Sequence, residues 1–149
     1  MIRIINQMPP QLRAILGVFL GVAVGFVTMM FFRGLLAEQP PEGVTIQNIK
    51  AYNLWTASLS TQAYLYLLAA FCGGALMAGA VTGYLVLHTR YQIACILSGF
   101  LLLILTIGNF LAFNHPEWLT ICACIGFVIF AWIGGWLVRL VFEKKDKNQ

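Results

Sequence analysis

The chain has 149 residues, of which 60% are apolar and only 9% charged. A soluble domain runs near half apolar and a quarter charged, so this composition excludes a water-clothed globule and points to one compact membrane domain with the lipid bilayer as its first partner. The net charge of +4 gathers at the chain ends and in one short link, not on a folded basic face, which excludes nucleic acid as a partner.

A bilayer core of about 30 Å needs roughly 20 helical residues, and four apolar blocks reach that length. The first is Ala14–Phe32. Its basic approach (Arg3, Arg13) fits a signal peptide, but the apolar run exceeds the usual core of about 7–15 residues and no A-x-A site follows. It reads as a retained helix.

Residues 33–61 form the one long loop. The stretch EQPPEG (Glu38 to Gly43) stops any helix. In the following VTIQNIKAYNLWTASLS, Thr45 would cap a short helix with Ile49, Tyr52, Trp55 and Leu59 on one face. Its Tyr and Trp would lay it flat at the membrane interface. An irregular loop carrying a few aromatics is the alternative.

The remaining spans are Ala63–Leu87, Tyr91–Phe113 and Trp118–Val138. None of the four blocks contains Asp, Glu, Lys, Arg or His. His88, Thr89 and Arg90 alone join the second span to the third, and a few residues around His115 join the third to the fourth. Links this short impose antiparallel neighbours. Arg3, Arg13, Arg90, Arg139, Lys144, Lys145 and Lys147 fall on one side, Arg33 and Lys50 on the other beside Glu38, Glu42 and Glu117. The basic side is the cytoplasmic one. The expected fold is all-α: a four-helix transmembrane bundle with both termini cytoplasmic and one long outer loop.

The stretch NHPEWLTICAC (Asn114 to Cys124) collects residue types that bind metals and run redox chemistry. Each has a plainer role in a turn. Pro116 suits the first helical position, Asn114 or His115 caps ahead of it, Glu117 complements the helix dipole, and Trp118 marks the interface. Successive helical residues turn by about 100°, so Cys122 and Cys124 point to nearly opposite sides and cannot share a metal. Cys124 also lies about 12 Å along the axis from Pro116, too deep to meet His115. Cys72 and Cys95 are likewise inside apolar blocks, and no disulfide framework is expected. The reading is a turn, with no metal, cofactor or catalytic site.

The strongest positive signal is small residues four apart: Gly17, Gly21 and Gly25 in the first span, Ala75, Gly79 and Gly83 in the second, Ala131 and Gly135 in the fourth. Such positions share a helix face and let two backbones approach where lipid removes the hydrophobic drive. Packing within one chain is the reading, and a homo-oligomer face the alternative. The glycine pairs Gly73–Gly74 and Gly134–Gly135 hint at related halves. Transporters and proton relays place ionisable groups inside the membrane, whereas the polar residues within these spans are mostly Thr28, Thr82, Ser98 and Thr106, whose hydroxyls can bond their own helix. Asn109 is the most polar of the set. With Thr28, Thr82 and Thr106 it makes a candidate polar pocket, or else a helix-to-helix hydrogen bond. His88 beside Arg90 reads as an interfacial turn.

Spaced glycines, then QPPEGV (Gln39 to Val44), AYNLWTASLSTQAYL leading into a glycine pair, NHPEW, and WIGGWL resemble, in that order, a family of small bacterial four-helix membrane proteins. Its members carry a PPPG-like loop after the first helix and an HP-x-W turn before the fourth. The resemblance runs from about Gly17 to Leu140. It implies a bacterial inner-membrane location and the four-helix fold, and no activity. Small multidrug transporters need a carboxylate in the first span, and quinone-linked disulfide formers need paired cysteines; both are missing here. The expected function is a non-catalytic accessory subunit or assembly factor of a membrane complex. The alternatives are a small transporter or channel for a neutral or apolar solute, and a lipid- or quinone-directed enzyme using His88, Asn109 or His115.

Overall fold

The computed structural model describes residues 9–36, 38–45, 47–86 and 91–146, without the side chains of Leu36, Asn109 and residues 143–146. The His88–Arg90 link, Arg3 and Lys147, the Asn109 amide and the side chains of Lys144 and Lys145 therefore lie outside the described residues. The described elements are five helices: α1 Pro10–Leu36, α2 Ile49–Ala57, α3 Thr61–Leu85, α4 Tyr91–Ala112 and α5 Glu117–Asp146. Among the described residues there is no strand. Four stretches are long and apolar enough to cross a membrane: Pro10–Leu35, Thr61–Leu85, Tyr91–Ala112 and Glu117–Phe142. The chain is a multi-pass, four-helix membrane bundle. α1 and α5 outrun the apolar blocks because backbone hydrogen bonding continues past the last lipid-compatible side chain into the basic ends.

Burial inverts the pattern of a soluble domain. Ala70, Ala75, Ala78, Ala123 and Ala131 are fully covered, as are Thr82 and Ser98. Phe19 is 66% exposed and Leu111 82% exposed. Large apolar side chains face outward, where a bilayer solvates them as well as a core would, and small residues fill the helix contacts.

α3 is the central helix, packed against α1, α4 and α5. Its start is set by Ser60, whose hydroxyl accepts the Ala63 N–H at 3.2 Å. Along the antiparallel α1–α3 contact, a Cβ at Gly25 would stand 2.6 Å from the Ala78 methyl carbon and 2.7 Å from the Gly74 carbonyl oxygen. A Cβ at Gly21 would press on the Thr82 hydroxyl and stand 2.6 Å from the Ala78 carbonyl. At Gly17 it would stand 2.8 Å from a Val86 methyl. The α3–α5 contact is parallel. Gly79 lies on the Ala131 carbonyl, Gly134 on the Leu76 carbonyl, and a Cβ at Gly83 would stand 2.8 Å from the Gly135 Cα. On the antiparallel α4–α5 contact, Gly99 abuts the Phe127 carbonyl and Gly135 abuts the Cys95 thiol. The glycines of all three stripes thus face neighbouring helices of the same chain, with Ala75 and Ala131 fully buried among them.

The long loop contains α2, and the cap of α2 differs from the sequence expectation. Asn48, not Thr45, accepts the Ala51 N–H through its side chain at 3.3 Å, while the Thr45 carbonyl accepts the Asn48 N–H at 2.9 Å. Thr45 is spent on the turn before the helix. Tyr52 and Thr56 are the buried pair, one helical turn apart, whereas Ile49 is exposed. Gly43 has φ +87°, the left-handed region that glycine enters without steric penalty, and it turns the chain after the two prolines.

Candidate functional site

The polar and aromatic side chains converge at the end of the bundle that carries α2 and the 113–116 turn, called here the loop end. Arg33 sits in the last turn of α1. Its guanidinium donates to the Tyr52 hydroxyl at 3.3 Å, and no carboxylate among the described residues pairs with it. Tyr52 is only 5% exposed. Its ring lies 5.1 Å from Trp55 and 4.6 Å from Phe113, centroid to centroid. The Tyr64 hydroxyl donates to the Thr56 carbonyl, fastening the start of α3 to α2. The Asn53 side chain accepts the Asn114 N–H at 3.2 Å and fastens α2 to the 113–116 turn.

His115 belongs to this assembly. Its imidazole stands edge-on to Tyr64 at 6.3 Å and close to Phe110 and Phe113 at 5.9 and 6.5 Å. Burial pushes its pKa below the ordinary value, and the nearby Arg33 charge pushes it the same way. At neutral pH it is an uncharged ring. Pro116 stands one residue ahead of the helix, its carbonyl accepting the Leu119 and Thr120 N–H groups at 3.0 and 3.4 Å. Glu117 opens α5 in the first turn. NHPEW is therefore a short link, Asn114 to Pro116, running into the first turn of α5, and it also places a histidine over a cavity.

That cavity measures about 460 Å³ and lies between the loop ends of α1 and α3, beneath α2. Arg33, Glu38, Tyr52, Trp55, Leu67 and His115 are among the residues lining it. The chemistry available is one guanidinium, a neutral imidazole, a phenol, a rim carboxylate and a mainly apolar wall. Among the described residues no three His, Cys, Asp or Glu side chains stand close enough to share a metal ion.

Of the candidate polar pocket, Thr28, Thr82 and Thr106 do not line this cavity. The Thr82 hydroxyl lies in the α1–α3 contact, bonding the Ala78 carbonyl at 2.8 Å and the Gly17 carbonyl across the helices at 3.2 Å. Thr106 bonds the Leu102 and Leu103 carbonyls of its own helix, both at 3.0 Å. Ser98 does the same with Cys95, at 2.8 Å. Thr82 is near the terminal end of α3 and Thr106 near the loop end of α4, so they occupy different depths. Thr28 is half-buried on α1, and the Asn109 side chain lies outside the described residues. Cys122 is exposed and Cys124 half-buried, both with free thiols.

Sequence reasoning missed Arg33, Tyr52, Thr56 and Tyr64 as members of one assembly. Arg33 was readable only as a topology charge, although a lone arginine at the end of a glycine-rich span beside an aromatic loop is a usable signal. The chain matches no protein-family model, no curated protein and no solved structure.

Proposed function

We propose that this is a non-catalytic integral membrane protein, serving as a small accessory subunit or assembly factor of a membrane complex. In this reading it resides in a bacterial inner membrane, with both termini cytoplasmic and the α2 cap outside, as its basic residues and its family resemblance imply. One observation carries the reading: among the described residues, the glycine contacts between helices are closed to backbone distance. Backbone meets backbone at Gly25, Gly79 and Gly83, and the buried hydroxyls of Thr82, Ser98 and Thr106 are engaged by helix carbonyls. What such a bundle offers to other molecules is its outward surface and its cap. The competing transporter reading needs a lined route between helices, and two of the threonines assigned to that route, Thr82 and Thr106, have their hydroxyls bonded to helix carbonyls.

The test is the mass and composition of the tagged protein after extraction in mild detergent or native nanodiscs. A stable larger assembly with other polypeptides is expected. A monomer, or a closed oligomer of this chain alone, overturns the accessory-subunit reading and brings flux assays forward.

A further inference from the structure

The cavity under α2 has two unlike halves. Its volume, about 460 Å³, falls within the roughly 300–1,000 Å³ of small-ligand sites. On the bundle side Met30, Ala63 and Leu67 line it, and on the cap side Arg33, Tyr52 and His115. Met30 is also 45% exposed, so the apolar half adjoins the surface that α1 turns toward lipid. On the cap side, a guanidinium has five N–H donors. One bond goes to the Tyr52 hydroxyl, and no carboxylate among the described residues pairs with the group.

We propose that this cavity binds an amphiphile with an anionic head, a carboxylate or a phosphate. Arg33 and Tyr52 hold the head, and the chain lies along Met30 and Leu67. Guanidinium forks fit these anions two bonds at a time. A small inorganic anion would satisfy Arg33 and leave the apolar half unfilled. A pure hydrocarbon would fill that half and leave the guanidinium unmatched. An amphiphile meets both demands, and it arrives by the medium the helices already occupy. His115, uncharged at neutral pH, adds a flat wall without a second charge. Glu38 lines the same cavity and is itself exposed, so it opposes an anion weakly. The inference is independent of whether the chain has a protein partner.

Trp55 lines the cavity and is the reporter. A chain with Trp55 as its only tryptophan (Trp118→Phe, Trp132→Phe, Trp136→Phe) is placed in phosphatidylcholine nanodiscs and titrated with a brominated fatty acid. Saturable quenching is expected, displaced by unbrominated fatty acid and unaffected by millimolar inorganic phosphate. Arg33→Gln should weaken it by roughly tenfold or more, and Arg33→Lys by less. Glu38→Gln should tighten it by roughly two- to fivefold, the effect of removing one exposed like charge. Brominated phosphatidylglycerol in the disc identifies the source: quenching that fatty acid cannot displace assigns the head to a phospholipid, within the same chemistry. Quenching that never saturates and survives Arg33→Gln overturns the proposal, as does displacement by phosphate alone. If Arg33→Gln does not fold, Glu38→Gln decides, because unchanged or weaker binding there contradicts an anionic head.

Discussion

Toward the terminal end of the α3–α5 contact, Gly79 and Gly83 rest on the backbone of Ala131 and Gly135, with no side chain between the helices. At the loop end, Tyr52, Tyr64, Phe113 and His115 hold their elements apart by the width of a ring, and polar atoms complete the joins. The first region gains its stability from backbone proximity and tolerates no added atom. The second is built of large side chains with a cavity among them, so it can accept an added group. Within one small bundle, the closed region serves the fold and the open one is available for recognition.

The sharpest test of the closed region is to add volume there and, as a control, at an open helix position. Gly79→Leu would drive a side chain into the Ala131 carbonyl, and overpacking against backbone is expected to reach the upper end of the usual range, about 3 kcal/mol. Loss of monodisperse protein in detergent, or a collapse of its melting temperature, is the readout. Gly108 has nothing within 4 Å of a Cβ, so Gly108→Leu meets no clash and should leave stability unchanged or raise it by up to about 1 kcal/mol through helix propensity. Equal effects from the two substitutions would show that the closed region is not what holds the bundle. A smaller effect is expected at the cap. Tyr64→Phe deletes the hydroxyl that bonds the Thr56 carbonyl, worth about 0.5–1.5 kcal/mol. Amide exchange should quicken in α2 and stay unchanged in the middle of α3. Faster exchange throughout the bundle would mean that cap and bundle unfold as one unit.

The two regions were not equally legible in the sequence. Four charge-free apolar blocks announce four spans, because a bilayer penalises any interruption. Four-residue spacing marks the faces of Gly21 and Gly79, yet it does not say which helix each face meets. Spacing is local, and the parallel α3–α5 pairing joins helices that are not consecutive. Gly99 and Gly134 escape the spacing rule altogether, although both touch the backbone of another helix. The cap was the least legible. Asn114 to Trp118 each have a sufficient local role, so nothing in the turn reveals that His115 points toward Tyr64 and Phe110. Arg33 and Tyr52 meet only because α2 packs back against the end of α1, an outcome of tertiary packing that no local pattern carries.

The smaller predictions refine the contrast at single atoms. Thr82→Val keeps the shape that fills the α1–α3 contact and removes the hydroxyl shared between the Ala78 and Gly17 carbonyls. Interhelical hydrogen bonds in membranes average about 0.6 kcal/mol, and a stability loss of that size, read as a small fall in melting temperature, is expected. A loss as large as that of Gly79→Leu would mean that polar bonding, not close approach, governs the closed region. A pH-dependent effect belongs to His115. Burial, and then the Arg33 charge, disfavour its protonated form in the folded protein. The unfolded chain therefore takes up the proton first, near the ordinary histidine pKa of about 6.5. More protons bound by the unfolded state means that stability rises with pH. The contribution is thus complete above about pH 6.5 and is lost as the pH falls toward the lower pKa of the folded state. Melting temperature should drop between neutral and mildly acidic pH. His115→Gln should flatten that part of the profile. Arg33→Gln, which removes only the second cause, should flatten it partly. Superimposable profiles for His115→Gln and the native protein would place the titrating group elsewhere and return His115 to the plain turn that its neighbours in sequence describe.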